Sequence, residues 1–133
     1  MSVQPYQLGP YRFTPATIYD EAKPPAEPGV YLLMLRGTKG GKPAVRYVGK
    51  AGNLKQRLRL DHEHFTKLFE EAGRDPDRVY VAWHTPTPRQ SESMKAACER
   101  IENIMIAHFG KQIDNEWKNT PTWKERQKRQ SHA

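Results

Sequence analysis

Six apolar residues run without a break from Val30 to Leu35, which predicts a strand over Gly29–Arg36 covered on both faces. Gly37, Gly40, Gly41 and Pro43 supply turn chemistry, and Ala44–Gly49 reads as a second strand that closes a hairpin. The small residues from Gly49 to Asn53 predict a bend, with Asn53 capping a helix through Leu54 and Leu58. Phe65, Leu68, Phe69 and Ala72 fall at helical spacing, and Gly73 ends that helix. From Arg78 to His84 the period is two: Val79, Val81 and Trp83 face one way, Tyr80, Ala82 and His84 the other. Thr87-Pro88-Arg89-Gln90 carries a cap, a first-turn proline and a capping-box glutamine. It predicts a long helix from there to Phe109, stopped by Gly110. The order strand, strand, helix pair, strand, long helix predicts an α+β fold: a small three-stranded, mainly antiparallel sheet flanked by helices.

Outside these elements the pattern weakens. Residues 1–27 hold five of the eleven prolines and read as an extended arm with a short helical turn at Ala16–Glu21. Tyr6, Tyr11, Phe13, Ile18 and Tyr19 predict that part of this arm packs on a domain spanning 28–116. Residues 117–133 form a polar, basic tail. The longest apolar run is far short of the ~20 residues that a spanning helix needs, and no charged-then-apolar leader opens the chain. A single cysteine, Cys98, excludes a disulfide framework and a multi-cysteine zinc site. A cytoplasmic protein without a membrane partner is expected.

Charge sharpens the expectation. The 133 residues carry 22 Lys and Arg against 15 Asp and Glu, a net charge of +7. Residues 36–60 contain eight cations and no acid: Arg36, Lys39, Lys42, Arg46, Lys50, Lys55, Arg57 and Arg59. Residues 61–75 then hold five acids. Two solvated faces would account for this. The acid-free length favours a surface that meets phosphates, and hence a nucleic-acid partner.

The chemistry-bearing residues lie in this stretch. Gly29-Val30-Tyr31 and Tyr47-Val48-Gly49 sit on consecutive predicted strands, followed by Lys50, Asn53-Leu54 and Arg57-Leu58. This string resembles the GIY-YIG nuclease family, with Val in place of each Ile in the name motifs, over about two thirds of the chain from Pro28 to Asn115. The resemblance implies a divalent-metal-dependent DNA endonuclease that hydrolyses phosphodiester bonds with Mg²⁺ or Mn²⁺. It implies a catalytic phenol at Tyr31 and a second at Tyr47, either of which can be the base. It puts the helix arginine at Arg57, the metal ligand at Glu102 with Glu99 as runner-up, and a terminal polar residue at Asn115, where Asp114 leaves the register open by one.

General chemistry agrees with these roles. A free phenol has a pKa near 10, so a neighbouring cation must favour phenolate before it acts as a base. Lys50, at a strand end beside a helix N-terminus, suits an anion. Arg57 can contact two phosphoryl oxygens, and one inward carboxylate suffices for Mg²⁺. Gly49 reads as a close-approach glycine, or simply as a turn. His62 and His64 fall five and seven residues past Arg57, slightly beyond the family distance. They read as an exposed helix junction, with His62 assisting proton transfer. Arg46, Lys50, Lys55 and Arg59 are the candidate DNA contacts. One such domain holds one active site and nicks one strand, so a double-strand cut needs a homodimer, two sequential events or a specificity partner. The alternative is a catalytically inactive nucleic-acid-binding module on the same fold.

Overall fold

The computed structural model describes residues 6–59 and 62–113. Asn115 and the basic tail lie outside the described residues. Among the described residues, six strands and three α-helices follow in order: β1 (Tyr6–Leu8), β2 (Tyr11–Phe13), β3 (Thr17–Ile18), β4 (Gly29–Gly37), β5 (Gly40–Ala51), α1 (Leu54–Arg57), α2 (Glu63–Glu71), β6 (Val79–His84) and α3 (Met94–Phe109). The protein is α+β, and its sheets are antiparallel.

The main sheet has the order β3-β6-β4-β5, so the expected three strands gain a fourth. Thr17 and Ile18 pair with Val81 and Tyr80, in a stretch where the sequence pattern predicts a helical turn. The turn itself is a short 3-10 segment, Tyr19–Glu21. Pro15 lacks an amide hydrogen and limits this edge strand to two residues. Residues 6–27 lie against the domain: Phe13 and Tyr19 are buried, and β1 and β2 form a separate hairpin.

Alternation along β4 divides the core. Val30, Leu32 and Met34 point toward α3 and pack with Cys98, Ile101 and Met105. Tyr31 and Leu33 point the other way, toward Leu54, Phe65 and Leu68 of α1 and α2. The central strand is therefore apolar throughout because each face has its own helical cover.

Strand β5 changes parity halfway. Leu33 pairs with Tyr47 but Met34 pairs with Val45, which leaves Arg46 as the extra residue of a β-bulge. Val45 thus faces α3 while Tyr47 faces α2, although the two are separated by a single residue. Arg46 is held by a bidentate ion pair with Glu71 of α2, one arm at 3.1 Å.

Helix α3 begins at Ser93, not at Thr87. Ser91 adopts φ +65°, the Arg89 amide donates to Glu92 at 2.9 Å, and Glu92 grips Arg100 through two 2.9 Å bonds. The Ser93 hydroxyl then caps Ala96 N–H. This local network outcompetes the Thr87-Pro88 start. The C-terminus falls where expected, at Gly110 with φ +58°. Among the described residues, no helix is long and apolar enough to cross a membrane.

Candidate active site

Tyr31 lies at the centre of a buried aromatic group on the α2 side of the sheet. Its ring crosses the backbone of its cross-strand partner, Gly49. A Cβ on Gly49 would fall 2.8 Å from Tyr31 Cε1 and closer still to Cζ and Oη. Gly49 has no positive φ, so its role is to make room for the phenol rather than to form a turn.

His62 approaches Tyr31 from the start of α2. Its Nδ1 accepts the amide hydrogens of His64 at 3.1 Å and Phe65 at 3.4 Å, which caps the helix. A neutral imidazole with Nδ1 accepting carries its hydrogen on Nε2. Nε2 lies 2.7 Å from Tyr31 Oη, so His62 donates to the phenol oxygen. His64 stacks on Tyr47 with 3.7 Å between ring centroids. Both histidines are about 2% exposed, which corrects the expected exposed junction. His62 caps α2, and His64 stacks on Tyr47.

Helix α1 brings in Arg57. Leu54 is fully buried beneath Gly29, where a Cβ would meet Leu54 Cδ1 at 2.6 Å. Asn53 caps Gln56 N–H as expected. The amides of Leu54 and Lys55 donate to Glu27 O at 2.8 Å and Pro25 O at 3.0 Å. The first three donors of α1 are thus spent, and this helix end offers none to an anion, contrary to the sequence expectation. Phosphate attraction must come from side chains. Arg57 is part-exposed and lies 3.9 Å from Glu63.

Burial raises the Tyr31 phenol to about 12, and the Arg57 charge and hydrogen bonds from Arg57 and Tyr47 oppose it. Burial also raises Tyr47, and a charged Tyr31 would raise it further. The Glu102 carboxylate pushes both upward, which places it within electrostatic reach of the pair.

Glu102 comes from the opposite face of the sheet. Lys50 pairs with Val30, on the α3 side, and its ammonium sits 3.2 Å from Glu99 and 4.0 Å from Glu102. The two halves of the site meet at β5, at one edge of the main sheet, on either side of Gly49. A groove of about 610 Å³ runs past Lys50, Asn53, Gln56 and Arg57.

Tyr31, Tyr47, Lys50, Arg57, His62 and Glu102 are thus brought together, with Gln56, Glu99 and His64 beside them. Asn115 lies outside the described residues. Of the candidate DNA contacts, Lys50 lines the groove. Lys55 faces a separate cleft beside Pro24 and Pro25, Arg59 is exposed at the end of α1, and Arg46 is committed to Glu71. Among the described residues, no group of three or more His, Cys, Asp or Glu could hold a metal ion. A hard cation that keeps most of its waters needs only one or two carboxylates; Glu102 and Glu99 are the carboxylates here, and the Lys50 ammonium lies 3.2 Å from Glu99 and 4.0 Å from Glu102.

No family model matches the chain, and no curated protein and no solved structure matches it.

Proposed function

We propose that the protein is a divalent-metal-dependent endonuclease that hydrolyses phosphodiester bonds of DNA. The observation that carries this reading is the 2.7 Å hydrogen bond from His62 Nε2 to Tyr31 Oη, with the Arg57 charge also acting on the phenol. These groups oppose the burial that raises Tyr31 to about 12, and the phenolate, once formed, is a base strong enough to take a proton from water. Tyr31, not Tyr47, is the base. His62 donates to it and does not itself accept the proton. Tyr47 orients Tyr31 and resists ionisation.

Arg57 and Lys50 face the groove and stabilise charge on the phosphoryl oxygens. Glu99 holds Lys50 in place until substrate arrives. Glu102, with Glu99 beside it, would hold Mg²⁺ or Mn²⁺, which supplies Lewis-acid charge at the phosphate and leaving oxygen. Neutralising the Glu102 carboxylate also removes one of the influences that raise Tyr31. Lys50, Lys55 and Arg59 supply backbone contacts along the duplex. With one site per chain, each encounter nicks one strand, and a double-strand cut needs a second copy, a partner or a second encounter.

The test is incubation of supercoiled plasmid with the protein, with and without Mg²⁺ or Mn²⁺, beside Tyr31→Phe, Arg57→Ala and Glu102→Ala. Metal-dependent nicking that is lost in all three variants is expected. Binding without cleavage of plasmid, branched and single-stranded DNA would replace the enzyme with a binding module.

A further inference from the structure

A second cavity of about 400 Å³ opens beside the catalytic groove and shares Lys50, Ala51 and Gly52 with it. Pro28, Ala51, Met94 and Cys98 form an apolar wall, and Lys50 and Lys95 supply positive charge. The volume lies within the range of small-molecule sites, at its lower end. Two of the wall residues are sulfur-bearing, and sulfur makes favourable contacts with aromatic rings. An aromatic guest attached to an anion suits both the wall and the lysines.

Resting on the phosphodiester reading above, we propose that this cavity takes the unstacked base of the nucleotide next to the scissile phosphate. The continuity of the two spaces is the argument. A strand with its phosphate at Lys50 and Arg57 has a neighbouring base within one nucleotide of the apolar wall. Unstacking a base costs least where it is already unpaired. The protein therefore prefers single-stranded, mismatched or branched DNA over a perfect duplex of the same sequence.

The experiment uses a short single-stranded oligonucleotide with one central 2-aminopurine, whose fluorescence is quenched by stacking. It is run with EDTA so that no cleavage occurs. Wild-type protein is expected to raise the fluorescence and to bind the single strand more tightly than the matched duplex. Gly52→Trp adds bulk where the cavity adjoins the groove, at a position where a Cβ meets no heavy atom within 4 Å, and circular dichroism and matched-duplex affinity check that fold and groove stay intact. It is expected to abolish the fluorescence rise and weaken single-strand binding about tenfold, the scale of one lost base contact. Met94→Ala is expected to act in the same direction, more weakly. A fluorescence rise that persists in Gly52→Trp, or equal affinity for single strand and duplex, overturns the base pocket. That result is distinct from failure of the nuclease reading, which plasmid nicking in Mg²⁺ decides.

Discussion

Gly49→Ala is the most informative single change. The new Cβ would meet Tyr31 Cε1 at 2.8 Å and Cζ and Oη more closely. Carbon contacts rest near 3.5 Å, so the phenol end must retreat by about 1 Å. Tyr31 is 1% exposed and packed among Tyr47, His62 and Leu54, which leaves little room for that retreat. Overpacking of this kind costs about 1–3 kcal/mol. The backbone at Gly49 has no positive φ, so alanine recovers roughly 0.5 kcal/mol from the unfolded chain. The net loss is about 1–2 kcal/mol, or roughly 3–8 °C in Tm. The same retreat lengthens the 2.7 Å bond from His62 beyond hydrogen-bonding distance. A displacement of ~1 Å at the base costs on the order of 100-fold in rate. Urea denaturation and plasmid nicking read the two effects separately. A cycle with Tyr31→Ala isolates the cause: once the ring is gone, Gly49→Ala should cost nothing, a coupling of about 1–2 kcal/mol. Gly52→Ala, with open space around its Cβ, is the control and should be neutral or slightly stabilising. A Gly49→Ala protein with wild-type stability, or additive effects in the cycle, would refute the close-approach argument.

Further expectations follow from the same geometry. His62→Ala removes the cap of α2 and the donor to Tyr31, so stability falls by about 1 kcal/mol and nicking is lost. His62→Asn, whose side chain can still cap, should recover the stability without the activity; recovery of both would show that the Nε2–H bond is dispensable. A phenol raised to about 12 is active only when deprotonated, so log kcat/KM should rise with unit slope across pH 7–9 and not plateau near 7. A plateau there would assign the base to a group of lower pKa. Glu92 is held down to about 2, against an ordinary 4.5, first by its bond to Arg100. Its contribution is complete above about pH 4.5 and disappears as pH falls through 2, so Glu92→Gln should destabilise the protein at pH 7 but not at pH 2. An equal loss at both values would show that the pair acts through packing.

The unbroken apolar run of β4 and the period-two pattern of β6 were legible because each reflects a single, local geometry. The bulge at Arg46 was not, since one extra residue leaves no trace in composition. Nor was strand β3: two residues between Pro15 and a turn carry no periodicity, and only the exposed edge of β6 makes them a strand. The start of α3 was misread because Thr87-Pro88 satisfies every local rule, while the Glu92–Arg100 clasp depends on a helix already formed. In the site, Tyr31, Tyr47, Lys50 and Arg57 stand out through the string they form and Glu102 through its distance from Asn115, and their convergence is not a property of spacing. The burial of His62 and His64 ran against their charged neighbours Asp61 and Glu63. A capping Nδ1 is visible only when the backbone it caps is in place. Gly49 was singled out, but its reason, the Tyr31 ring, lies 18 residues away in sequence.

The bulge at Arg46 also governs how this chain can change in length. Beyond it, toward Gly40 and Gly41, the hairpin can gain or lose residues while Tyr47 and Gly49 keep their facing. Between Arg46 and Gly49 a one-residue deletion puts Tyr47 and Lys50 on the same face: either Tyr47 turns toward α3, or Lys50 turns toward α2, away from Glu99. The ladder would still close, since all the exchanged partners can pair through their backbones. A family of variants built by insertion and deletion would therefore divide at one residue, folded on both sides of it and competent on only one.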